Sequence, residues 1–394
     1  MKPLEGVRVL DLTRVLAGPY CTMLLGDYGA EVIKVERPGS GDDTRAYGPP
    51  FLDGESAYFM SVNRNKKSIT LNLQHPKGRE VAHRIARTAD VVVENFSPGV
   101  TERLGVDYET LGQMNPRLVY CSISGFGQTG PYRQKPAYDM ILQGMGGLMS
   151  VTGESEGAPM KVGLSVVDLG SGMYAAYAIV MALFHRERTG QGQYIDFSML
   201  DGQVYWMSFL AEGYFVTGKP PARYGNGHPT LAPYGAFRTK DGYVNLGLGN
   251  DRFWQRFCQL VGREELLKEP EYQSMGGRVS HRQELDPIVQ EEMLKRTTEE
   301  WLRELEAVGI PAGPIYDMEE LLNHPQVLHR EMVVEAPHAK LGKVRVPGIP
   351  IKLSASPGAV ENGPPLLGQH TAEVLADLGY SPQEAEQLRE DGVI

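Results

Sequence analysis

The sequence predicts an α/β protein with two domains, and three observations carry that prediction. Apolar strand-like runs recur through residues 7–131. Most are continuous rather than alternating, the pattern of a sheet covered on both faces. The chain has 394 residues, more than one hydrophobic core usually serves. Residues 217–233 then collect Gly and Pro with no periodicity, and a different pattern of elements follows.

Taken in order, Val7–Leu12 is a short apolar strand. Pro19 is placed to open a helix that runs to about Tyr28 and stops at Gly29. Glu31–Glu36 is the next strand, at the spacing of a parallel unit. The unit lacks G-x-G-x-x-G and so is not a dinucleotide fingerprint. The polar, glycine-rich loop 37–45 leaves the C-terminal end of that strand, where open α/β sheets bind ligands. Arg64, Lys66 and Lys67 precede a strand predicted over 68–73. A helix over 75–88, strands over 90–94 and 118–122, and a short helix ending near Leu104 complete this run. A helix from Tyr138, a glycine-rich loop and a long apolar helix opening at Asp168 come next. A strand at 194–197 and a helix over 199–214 close the first part.

Tyr234–Leu248 reads as a hairpin around Asp241-Gly242. Helices follow over 251–261, 282–296 and 298–308. The expected organisation is therefore a large first part over 1–216, a linker over 217–233, a small α+β domain over 234–308, a second linker over 309–324, and a C-terminal part over 325–394. That last part carries short strands at 344–347 and 351–354 and helices at 371–378 and 382–389.

Composition excludes several classes. The formal charge of −10 with interspersed signs offers no nucleic-acid footprint. The most apolar stretch, within 168–184, is broken by Gly and Tyr and followed by His-Arg-Glu-Arg, so no membrane span is expected. The N-terminus runs straight into a strand without signal-peptide character. Cys21, Cys121 and Cys258 are scattered, forming neither a disulfide framework nor a metal cluster. A soluble, cytoplasmic protein is the expectation.

The chemistry concentrates in Tyr138–Thr189. Gly170, Gly172, Ala175, Ala176, Ala178 and Ala182 suit a helix with close backbone neighbours. Asp168 at its mouth supports two readings. It is a helix cap, or it is an ionised carboxylate held ready at a helix N-terminus, with a low pKa.

Several segments together resemble the class III (CaiB/BaiF type) coenzyme A transferases. These are LDLTRVLAGP (10–19), GAEVIKVERPGSGDDTR (29–45), NRNKKSITLNL (63–73), VVVENFSPG (91–99), SGFGQTGP (124–131), YDMILQGMGGLMSVTG (138–153), VVDLGSGMYA and GPPLLGQHT (363–371). Each is weak alone; their order and spacing are specific. Through VNRNKKSI, PQVLHREMVVE (325–335) and LLGQHT, the nearest likeness is to the succinate–hydroxymethylglutarate (glutarate) type.

The resemblance implies a Rossmann-like large domain built from both chain ends, a smaller α+β domain, and a homodimer of two chains threaded like linked rings. It places the nucleophile at Asp168 and the coenzyme A site near Val15, Ala17, Arg37, Leu71, Asn95, Phe96, Arg103, Lys135 and Tyr138. Coenzyme A enters as acyl-CoA substrate, with no permanently bound cofactor and no metal. The implied reaction moves CoA from a donor, succinyl-CoA, to an acceptor acid through mixed anhydrides and an aspartyl-CoA thioester. Water exclusion and glycine-loop N–H groups, with Gly247-Leu-Gly-Asn-Asp251 as the matching stretch, would protect and stabilise the intermediates.

Alternatives stand beside these roles. Arg37, Arg103 and Lys135 can pair coenzyme phosphates or surface carboxylates, and Phe96 can flank the nucleotide or pack in the core. Asp139 reads as a cap for the helix that follows it. His185 reads as a surface residue and His370 as support for the helix after it. Leu16 replaces the glutamine of formyl-transferring members, which argues against a formyl/oxalyl pair and leaves open a larger dicarboxylate. Arg45, Arg64, Arg223 and His228 are candidates for its distal carboxylate. The rival α-methylacyl-CoA racemisation needs a histidine where Tyr138 stands. Mesaconate, malate, itaconate or carnitine are other possible acids. A non-catalytic CoA-binding protein is the third reading.

Overall fold

The structure, a computed structural model, describes residues 1–394 and divides into two compact units. The first comprises Met1–Gly147, Val162–Ala211 and Pro325–Ile394. The second comprises Leu148–Lys161 and Glu212–His324, and so takes in both segments read as linkers.

The first unit is organised on a parallel sheet of six strands: β1 (Arg8–Asp11), β2 (Glu31–Glu36), β3 (Lys66–Thr70), β4 (Val91–Glu94), β5 (Val119–Ser124) and β6 (Gln193–Ser198). Their spatial order is β3-β2-β1-β4-β5-β6. This is the doubly wound order, with its topological switch between β1 and β4. Val9, Leu10, Val91, Val92 and Val93 are fully buried because both faces are covered. One face packs on the helix Pro76–Thr88 through Val81, Ile85 and Ala86. The other packs on α1 (Ala17–Asp27) and on a long helix, through Cys21, Leu25, Ala175 and Ile179. The C-terminal segment joins this unit at β3. His370 N donates to Ser68 O at 2.9 Å, and Thr70 N donates to Thr371 Oγ1 at 3.1 Å.

Two further helices matter for the site: α2 (Asp139–Met145) and the long α3 (Val166–Thr189). A Cβ on Gly172 would lie 2.6 Å from Ala17 O and 3.2 Å from Cys21 N. Glycine is what lets α3 approach the start of α1 this closely. α3 is long and apolar enough to cross a membrane by length and composition alone, contrary to the sequence expectation, and half of its most apolar window is buried within this chain.

Several element boundaries differ from the sequence reading. β3 starts at Lys66 instead of Ser68, because the Lys66 ammonium is drawn into a buried polar network. α3 begins at Val166, so Asp168 lies inside its first turn. The helix expected over 199–214 is two helices, Met199–Trp206 and Ser208–Thr217, parted where Ser208 takes φ 38°. The strand expected at 344–347 is present as Gly342–Pro347 and pairs antiparallel with Val333–His338, a strand the sequence reading does not contain, while 351–354 forms no strand.

The second unit holds an antiparallel sheet with Tyr243–Gly247 between Ala312–Pro314 and Tyr234–Arg238. Its core stacks Trp254 on Phe257 and Phe257 on Trp301, at centroid separations of 6.2 and 6.3 Å. In the stretch 247–251, Leu248 is fully buried and Asn250 caps the helix Asp251–Val261 by accepting from Phe253 N at 2.9 Å.

Candidate active site

The loop leaving β1 crosses the topological switch and is fixed by buried charges. Asp11 Oδ1 accepts from Thr13 N at 2.9 Å, and Asp11 Oδ2 accepts from Thr22 Oγ1 at 2.6 Å and Lys66 Nζ at 3.1 Å. Lys34 Nζ donates to Thr13 O at 2.8 Å and pairs with Asp42 Oδ2 at 2.9 Å. The Lys34 ammonium, then the Thr44 N–H and hydroxyl, hold the Asp42 carboxyl down at about 2 against the cost of burial. Asp42 Oδ1 also accepts from Val15 N at 3.2 Å. Arg14 and Asn95 clasp each other, Arg14 N to Asn95 Oδ1 at 2.9 Å and Asn95 Nδ2 to Arg14 O at 2.8 Å.

So clamped, Val15 adopts φ 68°, a left-handed conformation that costs a β-branched residue on the order of 1–3 kcal/mol. The strained residue stands at the lip of a cleft of about 210 Å³ that Asp168 also lines. Val15, Leu16, Ala17, Asn95, Phe96, Ser124, Lys135 and Tyr138 share its wall. At the strand end below, Phe96 N donates to Glu94 Oε2 at 2.8 Å, and burial pushes the Glu94 carboxyl up to about 7.

The environment of Asp168 reverses one expectation. Its carboxyl is pushed up to about 7, not held low. Burial is the first cause and the neighbouring Asp139 carboxylate the second. The N–H groups at the mouth of α3 are already engaged: Asp139 Oδ1 accepts from Val167 N at 2.9 Å and from Asp168 N at 3.3 Å. The N-cap position itself, Ser165, makes no side-chain cap bond. Asp139 is therefore the cap, as the sequence suggested, but of α3 and not of its own helix.

Most expected site residues gather in two clefts that meet at Arg14 and Phe96. Asp168, Val15, Ala17, Asn95, Phe96, Lys135 and Tyr138 line the first. Arg37, Leu71 and Phe96 line the second, about 500 Å³, with Lys34, Asn72, Gln74 and Leu104. Arg37 is exposed and paired with Asp43, which also meets Arg14 Nη1 at 3.2 Å. Arg103 is exposed and lines neither cleft.

Two candidates for a distal carboxylate are engaged internally. Arg45 grips Glu36 through Nε and Nη2 at 2.7 and 2.8 Å and stacks on Phe59 at 3.7 Å. Arg64 grips Asp27 at 2.9 and 2.7 Å, with both partners buried. Arg223, in the second unit, donates to the carbonyls of Glu154 and Gly157 at 3.1 and 2.6 Å. His228 Nδ1 accepts from Thr230 N at 3.2 Å. His185 is exposed, and the His370 ring accepts from Ser68 N at 3.1 Å. All three cysteines are buried.

Sequence reasoning missed Tyr58, Arg14, Arg133 and Ser124. The Tyr58 hydroxyl hydrogen-bonds Ser165, and its ring meets Tyr47 edge-on at 5.5 Å. Burial, then the Asp168 carboxylate, pushes the Tyr58 hydroxyl up to about 12. Arg133 lines the Asp168 cleft beside Lys135. Nothing in local spacing marks these residues, because distant segments bring them together.

A doubly wound sheet whose switch-point cleft holds a half-buried carboxylate beside cationic side chains is an α/β architecture suited to anionic ligands. A profile described as "CoA-transferase family III" matches residues 4–371. The chain belongs to that family and is an enzyme of the class III CoA-transferase type. It is 44% identical over 395 residues to the succinyl-CoA:glutarate CoA-transferase of Homo sapiens, covering all of this chain and 90% of the relative. It is 45% identical over 384 residues to the succinate–glutarate CoA-transferase of Agrobacterium fabrum, covering 95% of this chain and 96% of that one. Among solved structures, a CaiB/BaiF family protein from Brucella suis superposes with a TM-score of 0.86 at 40% identity, covering 96% of this chain and 99% of that one.

Proposed function

We propose that this enzyme transfers coenzyme A from succinyl-CoA to a dicarboxylic acid, glutarate or hydroxymethylglutarate, with Asp168 as nucleophile. The observation that carries the mechanism is a single half-buried carboxylate in the first turn of α3, in the cleft at the sheet's switch point. The relatives' substrates and the Leu16 wall support the acid pair. Leu16 is buried among Met23, Val62, Tyr58 and Leu169, an apolar surface suited to a methylene chain.

In the proposed sequence, an Asp168 carboxylate oxygen attacks the acyl carbon of the donor thioester. The C–S bond breaks and its electron pair leaves on sulfur, giving a mixed anhydride and a bound thiolate. The thiolate attacks the Asp168 carbonyl, expelling the donor acid as carboxylate and leaving an aspartyl-CoA thioester. The acceptor carboxylate repeats the first step on this thioester, and the returning thiolate completes the product and frees Asp168. No net proton is consumed.

A desolvated, more basic carboxylate helps the first step, which trades a carboxylate for a thiolate. Each pKa unit gained by the nucleophile removes roughly 1.4 kcal/mol of that imbalance. Arg14, Arg37 and Lys135, which line the two clefts, would meet coenzyme phosphates, and Asn95, Phe96, Leu71, Val15 and Ala17 would line its path. Arg103 would act only from the surface.

The protein is read as a cytoplasmic homodimer with a large domain made from both chain ends and linkers over 217–233 and 309–324. Support for the second copy comes from α3, whose Met173, Tyr177, Val180, Met181 and Phe184 leave large apolar side chains exposed.

Asp168→Asn is expected to abolish transfer while retaining CoA binding; full activity would remove Asp168 from the mechanism. Hydroxylamine added after succinyl-CoA should modify Asp168 alone, read by peptide mass. A panel of glutarate, hydroxymethylglutarate, malate, mesaconate and itaconate with succinyl-CoA should favour the first two. Preference for another acid would change the assignment of substrate but not of mechanism.

A further inference from the structure

The approach to Asp168 is built on two buried side chains that the transfer chemistry does not itself use. Asp139 and Gln143 lie one turn apart on α2, and both are buried. Asp139 Oδ1 accepts from Val167 N and Asp168 N, closing the mouth of α3. Asp139 Oδ2 accepts from Gln143 Nε2 at 2.6 Å. The same Nε2 reaches Leu164 O at 3.4 Å, and Gln143 Oε1 accepts from Val162 N at 2.8 Å. Two side chains thus hold residues 162–168, the whole approach to Asp168.

We propose that Asp139, braced by Gln143, is a positioning residue for CoA transfer: it occupies the N–H groups at the mouth of α3, aims Asp168 into the cleft, and keeps an anion beside it.

The physical argument has two parts. Without Asp139, the Asp168 carboxylate could turn back onto the free N–H groups at the start of its own helix, where a carboxylate is stabilised. It would then be less basic and aimed away from the acyl carbon. With Asp139 in place, those donors are taken and a second negative charge stands close, which disfavours ionisation of Asp168. Both parts work in the same direction. The raised titration of Asp168, for which Asp139 is the second cause after burial, accords with this geometry.

Other groups face the same site. Tyr58 comes from the helix Ala57–Ser61 and Tyr138 from the start of α2. Arg14, Arg133, Lys135 and Asp43 line the cleft. The four cleft residues can alter how well an anionic substrate binds. Tyr58 stays protonated through the range in which Asp168 titrates.

This inference rests on Asp168 being the nucleophile, and the experiment separates the two. Asp139→Asn keeps a neutral acceptor for the helix mouth but removes the charge, whereas Asp139→Ala removes the charge and frees the N–H groups. In full-length enzyme, both are expected to move the acid limb of kcat/KM for succinyl-CoA to lower pH by about one unit. Asp139→Ala should also lower kcat about 10- to 100-fold at pH 8.5, where Asp168 is ionised in every variant.

An acid limb unmoved in both variants would overturn the proposal, leaving Asp139 a stability residue only. Failure of both variants to fold would overturn it in the same way. Asp168→Asn is assayed alongside. If Asp168→Asn keeps activity, the nucleophile assignment falls. If Asp168→Asn is inactive and the limb of the Asp139 variants does not move, only the positioning role falls.

Discussion

Asp168 shows how burial can override helix position. At a bare helix mouth its carboxyl would be held low; half-buried, desolvated and beside Asp139, it is pushed up to about 7. Activity should therefore rise with pH through an acid limb near 7, read as kcat/KM against pH. A limb near 4 would mean that the carboxyl is solvated in the working enzyme. The stability consequence has the opposite sign to that of a salt-bridged carboxylate. The folded pKa lies above the ordinary aspartate value of 3.8, so the folded state binds the extra proton between the two. This contribution is full below pH 4 and lost as pH rises through 7. Asp168→Asn should therefore melt higher than wild type at pH 8, by on the order of 2–3 kcal/mol, and near wild type at pH 4.

Ser124 makes a second case at this scale. Its hydroxyl oxygen is buried without a hydrogen-bond partner, at the end of β5 and in the wall of the Asp168 cleft. A buried hydroxyl left unsatisfied costs about 1–3 kcal/mol. Ser124→Ala should hold or raise the melting temperature; a clear fall would reveal a partner for the hydroxyl.

At the scale of elements, the site depends on how closely α1 and α3 approach. The Cβ of Gly172→Ala would sit 2.6 Å from Ala17 O, a backbone atom that cannot rotate away. The helices must then separate at the point where Val15 and Ala17 line the cleft. Thermal melts should show a loss of about 1–3 kcal/mol, and KM for acyl-CoA should rise with it. An unchanged melt together with an unchanged KM would mean that the contact is slack.

The loop between β1 and α1 depends on buried charges rather than on its own turn chemistry. Lys34, Lys66, Asp11 and Asp42 lie within a polar cluster of 4% exposure or less, each paired or hydrogen-bonded. Such pairs are costly to break from one side, because the remaining charge is stranded. They are what can hold Val15 in a conformation that its own side chain disfavours.

For the whole molecule, the exposed face of α3 is the feature that a lone chain leaves unexplained. Tyr177 and Phe184 are each 62% exposed on a helix whose opposite face is fully buried. Light scattering on the purified protein should give twice the 43.5 kDa chain mass. A chain mass at micromolar concentration would remove the dimer reading.

Much of this molecule was legible in sequence because it rests on short-range regularities. Continuous apolar runs such as VVVE in β4 marked strands buried on both faces. The small residues of α3 announced a close helix neighbour, which is α1, packed against Gly172. Asp168 stood out because a carboxylate at a helix mouth is a local pattern.

Only the tertiary structure decided the rest. Arg45 and Arg64 looked available for substrate, but Glu36 and Asp27 claim them across distances that spacing cannot reveal. The helix mouth that was to lower the pKa of Asp168 is closed by Asp139, 29 residues earlier in the chain. Tyr58 reaches Ser165 only after folding. The sequence by itself determined the strands, their two-sided covering and a carboxylate at a helix mouth, because neighbours along the chain encode these. The electrostatics of that carboxylate depend on burial and on distant side chains, so only the folded structure could decide them.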